Sequence, residues 1–272
     1  MTKNIIQTST LKRSRKLKAF NHLLTIMDQL RENCPWDKNQ TMESLRHLTI
    51  EETYELSDAI LEGNLENVEK ELGDLMLHLT FYAKLGSEKK AFDMETVLNG
   101  ICEKLIRRHP HIYSNTIAKD ETTVKTNWEK IKLKEKGNTS VLGGVPQSLP
   151  ALVKAIRIQE KASGIGFDWK KESQVWNKVE EEIKEFKVEL QVKKKNSKRT
   201  NEEFGDILFS LINYARFQGI NPEEAHERTN KKFIKRFQYL EMKSKEKGKL
   251  ITEMTLSEMN THWENAKNNV DD

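Results

Sequence analysis

The chain of 272 residues has only two cysteines, Cys34 and Cys102, and no CxxC spacing. That excludes a disulfide scaffold and argues against a structural zinc; it fits a reducing cytoplasm. Long hydrophobic runs are also missing. None approaches the roughly 18 residues that a membrane span needs, so no membrane association is expected. Residues 1–18 are polar and basic and hold no apolar core for a secretory signal. Sustained period-2 alternation is absent, which excludes a sheet as the organising element. Charge of one sign is not in excess: the formal net charge is +4, too small to demand nucleic acid and suited to an anionic substrate. No Walker A motif occurs, and Gly164-Ile165-Gly166 lacks both a preceding strand and the third glycine of a dinucleotide fingerprint.

What the chain has instead is charge in quantity, 32% of residues, on helical spacing with 36% hydrophobic residues and a mean hydropathy of −0.75. Glu51-Glu52-Thr53-Tyr54-Glu55 precedes Glu71-Leu72-Gly73-Asp74 across a break at Gly63-Asn64. On a helix, Glu51, Glu52 and Glu55 share one face, as do Glu71 and Asp74. Residues 55 and 71 have their midpoint at 63, and so do 52 and 74. An antiparallel hairpin about that point sets Glu55 level with Glu71 and Glu52 level with Asp74. Four carboxylates facing one another repel, and a hard divalent cation such as Mg²⁺ removes the conflict.

One such cluster is ordinarily a solvated acidic face, but here the device occurs twice. Glu181-Glu182-Ile183-Lys184-Glu185 precedes Glu203-Phe204-Gly205-Asp206, with both midpoints at 194. Glu182, Glu185, Glu203 and Asp206 thus repeat Glu52, Glu55, Glu71 and Asp74. Both second helices carry an interior glycine, Gly73 or Gly205, at a cost of about 1 kcal/mol against alanine. Close approach of the partner helix or of a ligand would explain it. The repeat extends further: Lys104 and Arg108 match Lys232 and Arg236, and Trp128/Lys132 match Trp263/Lys267. Each Lys/Arg pair sets two cations one turn apart, suited to a triphosphate. Each tryptophan either stacks on a base or closes a core. Lys178 stands one turn before Glu182, and Arg199 one turn before Glu203.

The organisation expected is a basic flexible tail at 1–19, a first helical domain at 20–136, a linker at 137–149 and a second domain at 150–272. A role for the tail as a nucleic-acid arm is the weaker alternative. Trp36 is expected to pack in a core. His109 and His111 are expected to form a turn beside Pro110 rather than a metal site.

This combination resembles the MazG nucleoside triphosphate pyrophosphohydrolases in their tandem two-domain bacterial form. The likeness rests on EExxE followed by ExxD twice, Gly-Asp inside each second helix, the Cys34-Pro35-Trp36-Asp37 and Gly166-Phe167-Asp168-Trp169 segments, and the KxxxR and WxxxK pairs. It covers about residues 20–270. The resemblance implies an all-α fold of two tandem helical-bundle domains, a homodimer, and Mg²⁺-dependent hydrolysis of nucleoside triphosphates to monophosphate and pyrophosphate. By motif position it makes the eight carboxylates named above metal ligands. Glu51 and Glu181 then orient or deprotonate water, and Lys232, Arg236 and Trp263 hold the nucleotide. Asn213 stands where the first copy has Phe81, and Arg199 where it has Asn67. Asn213 can hydrogen-bond a ligand and Phe81 cannot, so the second copy is expected to be the more competent. The rival reading is a helical module that binds Mg²⁺–nucleotide, or another protein, without turnover.

Overall fold

A computed structural model describes residues 2–114, 116–118, 120, 123–124, 127–128, 131–132, 135, 140–192 and 197–269, with side chains from residue 11 onward except at 197. Every regular element among them is helical, as an all-α fold requires, and no helix is long and apolar enough to cross a membrane. The chain divides into two compact units, Met1–Thr116 and Ile117–Asp272. The boundary lies upstream of the 137–149 linker expected from sequence. The helix expected over 122–136 falls mostly outside the described residues.

In the first unit α1 (Thr2–Asn33) leads through the single-turn α2 (Pro35–Lys38) to α3 (Met42–Glu62) and α4 (Leu65–Glu88), followed by α5 (Met94–Arg108) and α6 (Pro110–Tyr113). The basic segment expected to be a flexible tail is helical from Thr2. The reason is local: residues 2–33 contain no proline or glycine and many Leu, Lys and Arg, all good helix formers.

The α3–α4 turn falls where the carboxylate register centred it. Gly63 ends α3 at φ +67, a left-handed conformation that costs glycine no side-chain clash. Asn64 then caps α4, its side chain accepting from the Asn67 N–H at 3.1 Å. Met27, Leu45, Phe81 and Leu85, each at most 3% exposed, form the core that clamps α1 and α3 onto α4. Arg31 ties α1 to α2, to the α2–α3 connection and to α4 at the rim, donating to the Asp37 and Gln40 carbonyls and to both Glu88 oxygens. Trp36, expected inside, is 55% exposed, while Asp37 is buried. In a one-turn helix neighbouring side chains diverge by about 100°, and Asp37 takes the inward direction.

The second unit contains α7 (Ala151–Gly164), α8 (Glu172–Gln191), α9 (Ser197–Phe217), α10 (Pro222–Glu246), a 3₁₀ turn (Ile251–Glu253) and α11 (Leu256–Asn269). Pro150 precedes α7 as its N-cap, and Pro222 opens α10 behind the Asn221 cap. Helices α8 and α9 pack as the second hairpin, α7 lies against α9 and α10, and α10 against α11. Val175 and Val179, at most 1% exposed, anchor α8.

Among the described residues, the interior glycines do not serve helix packing within their own units. A Cβ added at Gly73 or Gly205 would meet no atom within 4 Å. Close approach of the partner helix, one of the two reasons expected for them, is therefore ruled out.

Candidate metal centres and an adjoining cavity

The hairpin registers bring together three of the four carboxylates expected in each unit, without Asp74 in the first or Asp206 in the second. One ligand oxygen each from Glu52 and Glu55 on α3 and Glu71 on α4 lie within 4.8 Å of one another, and so do those of Glu182 and Glu185 on α8 and Glu203 on α9. Among the described residues these are the two places where three or more such side chains converge. His109 and His111 are not among them; His109 Nδ1 lies 2.7 Å from the Leu105 carbonyl at the end of α5.

Two observations in the first unit fit a cation. Glu71 is 5% exposed, and its Oε2 is buried without a hydrogen-bond partner while Oε1 accepts from Lys70 at 3.1 Å. A buried carboxylate oxygen left unpaired is costly, and a cation offsets that cost. Glu52 has its pKa raised, first by burial and then by the charges of Asp74, Glu55, Glu71 and Glu51. Asp74 therefore acts on Glu52 from across the hairpin, as the register requires, and Glu51 adds charge from the exposed flank.

The second unit surrounds its triad with cations. Lys178 Nζ lies 2.8 Å from Glu181 Oε1 and 2.6 Å from Glu182 Oε1. These two bonds, Glu181 first, raise the Lys178 pKa. Arg199 Nε lies 3.3 Å from Glu189 Oε2 and 3.7 Å from Glu203 Oε1. Helical spacing foretold the approach of Lys178 and Arg199; the part of Glu189 was not foreseen, because its side chain meets Arg199 only once the hairpin closes.

Beside this triad a cavity of about 770 Å³ opens, with Lys178, Glu182 and Asp206 in its wall. Its volume is within the range of small-ligand clefts. Ile158 and Phe209 supply apolar wall, and Phe167 and Trp169 stand at the mouth, Phe167 being 81% exposed. Asn213 also faces it, braced by Arg216, which donates to Asn213 Oδ1 (2.9 and 3.2 Å) and to Asp168 Oδ1 (2.6 Å). Asp168 of the GFDW segment thus fixes the arginine that holds Asn213.

Other candidate residues lie apart from this wall. Arg236 and Trp263 pair with each other, the guanidinium 5.7 Å from the indole centroid, and Phe233 packs on the same indole at 4.9 Å. Lys232 is exposed on α10, and Lys267 bonds Glu264 at 2.6 Å. Lys104 and Arg108 lie on α5, exposed and half-buried, and Trp128 is half-buried in the second unit.

In the first unit, Thr49 Oγ1 lies 2.7 Å from both His78 Nδ1 and Tyr82 Oη. Burial lowers the His78 pKa, and Asp74 opposes that shift. His78 escaped the sequence reading although it stands one turn beyond Asp74. The signal against it was the repeat, which places Ser210 there.

Tandem helical hairpins, each closing three carboxylates into one cluster, define an all-α protein built from two repeated units. Residues 40–113 and 171–240 match the family model described as the MazG nucleotide pyrophosphohydrolase domain. The chain is 41% identical over 252 residues to the nucleoside triphosphate pyrophosphohydrolase/pyrophosphatase MazG of Thermotoga maritima, covering 91% of this chain and 95% of that protein. It is 38% identical to the nucleoside triphosphate pyrophosphohydrolase of Escherichia coli K12, covering 92% and 98%. It is 44% identical to YabN of Bacillus subtilis over 91% of this chain and 51% of that protein. The chain belongs to the MazG family.

Proposed function

We propose that the chain hydrolyses nucleoside triphosphates to nucleoside monophosphate and pyrophosphate, with Mg²⁺ as cofactor and the second unit as the more competent site. The observation that carries this reading is shared wall: Glu182 belongs both to the carboxylate cluster and to the wall of the 770 Å³ cavity, where Lys178 pairs with it at 2.6 Å. A nucleotide seated there presents its phosphates to the cluster. The names of the Thermotoga and Escherichia relatives point to the same reaction.

Glu182, Glu185, Glu203 and Asp206 hold the ion in the second unit, and Glu52, Glu55, Glu71 and Asp74 in the first. Bound there, magnesium supplies a Lewis acid that neutralises charge on phosphate oxygens and makes nearby water more acidic. Glu181, exposed at the flank and oriented by Lys178, takes the proton of the attacking water on its oxygen not bonded to the lysine. The water oxygen bonds to the α-phosphorus, and the bond from that phosphorus to the oxygen bridging to the β-phosphorus breaks, releasing pyrophosphate. Arg199 exchanges its carboxylate partners for phosphate oxygens, and Lys178 exchanges Glu182 for one while keeping Glu181. Catalysis is then positioning plus electrostatics. Lys232, Arg236 and Trp263 add cation and aromatic surface for the nucleotide, with Lys267 beside Trp263, and Lys104 and Arg108 repeat the cation pair on α5.

The expected assembly is a homodimer working in the cytoplasm. Leu72, Met76 and Leu79 form an apolar stripe on α4, each at least 42% exposed, and Phe204, Leu208 and Leu211 repeat it on α9, each at least 40% exposed. A stripe repeated in both units suits a second copy of the chain. Sedimentation at micromolar concentration is expected to give twice the chain mass; a monomer would refute the dimer.

The reaction itself is tested by incubating the full chain with Mg²⁺ and each nucleoside triphosphate in ¹⁸O-water. Monophosphate carrying the label, together with unlabelled pyrophosphate, is the expected result. Diphosphate plus phosphate would reject attack at the α-phosphorus.

A further inference from the structure

Gln159 on α7 is 5% exposed and lies in the wall of the cavity. Its Nε2 donates to the Phe209 carbonyl at 2.8 Å. Only the nitrogen end of an amide donates, so this bond fixes which way the side chain is turned. Oε1 is left buried with no hydrogen-bond partner. Asn213 complements it: Arg216 occupies its Oδ1, so its amide nitrogen is what it has to offer a ligand. The two residues that carry this acceptor and this donor thus line a single cavity whose wall also reaches the carboxylate triad.

The first unit supplies the contrast. Met27 on α1 takes the corresponding place, since it packs with Phe81, which stands where the second copy has Asn213. Met27 and Phe81 are 2% and 3% exposed and pack with Leu45 and Leu85 into a closed core. The counterpart of Phe209, Leu77, packs against that core. Two polar residues line a cavity in one copy; two apolar residues fill the matching place in the other.

We infer that Gln159 Oε1 and Asn213 Nδ2 read the hydrogen-bonding edge of the nucleobase in the second unit, and that the first unit has no matching base site. This rests on the reading of the cavity as the nucleotide site. Each common base shows an N–H donor beside an acceptor on its pairing edge, so the pair admits all of them. It favours a base whose edge carries the donor, because only such a base gives Oε1 the partner it lacks in the free protein.

The test compares ATP with purine riboside 5′-triphosphate, which lacks only the exocyclic amino group, in full-length protein carrying Glu55→Ala to silence the first unit. The expected result is a kcat/KM at least about 10-fold lower for the purine analogue, carried mainly by KM. In Gln159→Met, of similar volume, ATP is expected to fall to the level of the analogue and the preference to vanish. The melting temperature of that variant checks folding, and the comparison of substrates on protein with Gln159 intact stands without it. Equal kcat/KM for both nucleotides, each yielding pyrophosphate, would overturn this inference and leave the proposed reaction standing. A preference that persists in folded Gln159→Met also overturns it. Absence of pyrophosphate from ATP would overturn the reaction and the inference together.

Discussion

Glu185→Ala is expected to lower kcat by roughly 10³-fold, whereas Glu55→Ala leaves most of the activity. Both residues are solvent-exposed, so neither substitution opens a cavity in a core. Each removes one of three oxygens that converge within 4.8 Å. A ligand lost from a catalytic ion forfeits several kilocalories of transition-state stabilisation, and about 4 kcal/mol is roughly 10³ in rate. The two differ in what adjoins the cluster. Glu185 belongs to a triad whose Glu182 lines an open cavity, flanked by Lys178 and Arg199. The matching region of the first unit is closed by Met27 and Phe81. Steady-state rates of the two purified variants, with melting curves as folding controls, decide it. Loss confined to Glu55→Ala would show that the ranking of the two units is reversed.

The acidic hairpins were legible because register is arithmetic. Helical spacing fixes which carboxylates share a face, and the repeat at 52, 55 and 71 and at 182, 185 and 203 fixes where the chain must turn. Gly63 and Asn64 then occupy that turn. The approach of Lys178 to Glu182 and of Arg199 to Glu203 followed from the same spacing.

What the spacing did not reveal depends on contacts between distant segments. That Gln159 keeps one bare oxygen is a consequence of the Phe209 carbonyl 50 residues away. Pattern alone shows only a polar residue on α7. The clue was present as a difference between copies, since Met27 stands at the matching place, but it acquires meaning only beside a cavity. Trp36 misled because a one-turn helix has no periodicity from which to read a face. The basic segment is helical because no residue in 2–33 interrupts a helix, a property that its charge pattern does not display.

Mg²⁺ at about 100 times its dissociation constant is expected to stabilise the protein by about 2.7 kcal/mol, which moves the melting temperature of units this size by roughly 5–10 °C. The gain grows with pH, and the sign follows from Glu52. Its folded pKa is raised above 4.5 by burial and by Asp74, Glu55, Glu71 and Glu51. Between 4.5 and that higher value, the folded state keeps a proton which the unfolded state has released. Metal-free stability therefore falls as pH rises through this window. A cation needs the deprotonated carboxylate, so protons compete with it below the window and cease to compete above it. Melting curves at pH 4 and pH 8, with and without Mg²⁺, are expected to show little gain at the lower pH and the full gain at the higher. Glu52→Gln removes the repelling charge, so the metal-free protein should lose that part of its pH dependence. The same substitution should shrink the first unit's response to Mg²⁺. A Mg²⁺ shift of equal size at both pH values would show that the ion binds somewhere other than these carboxylates.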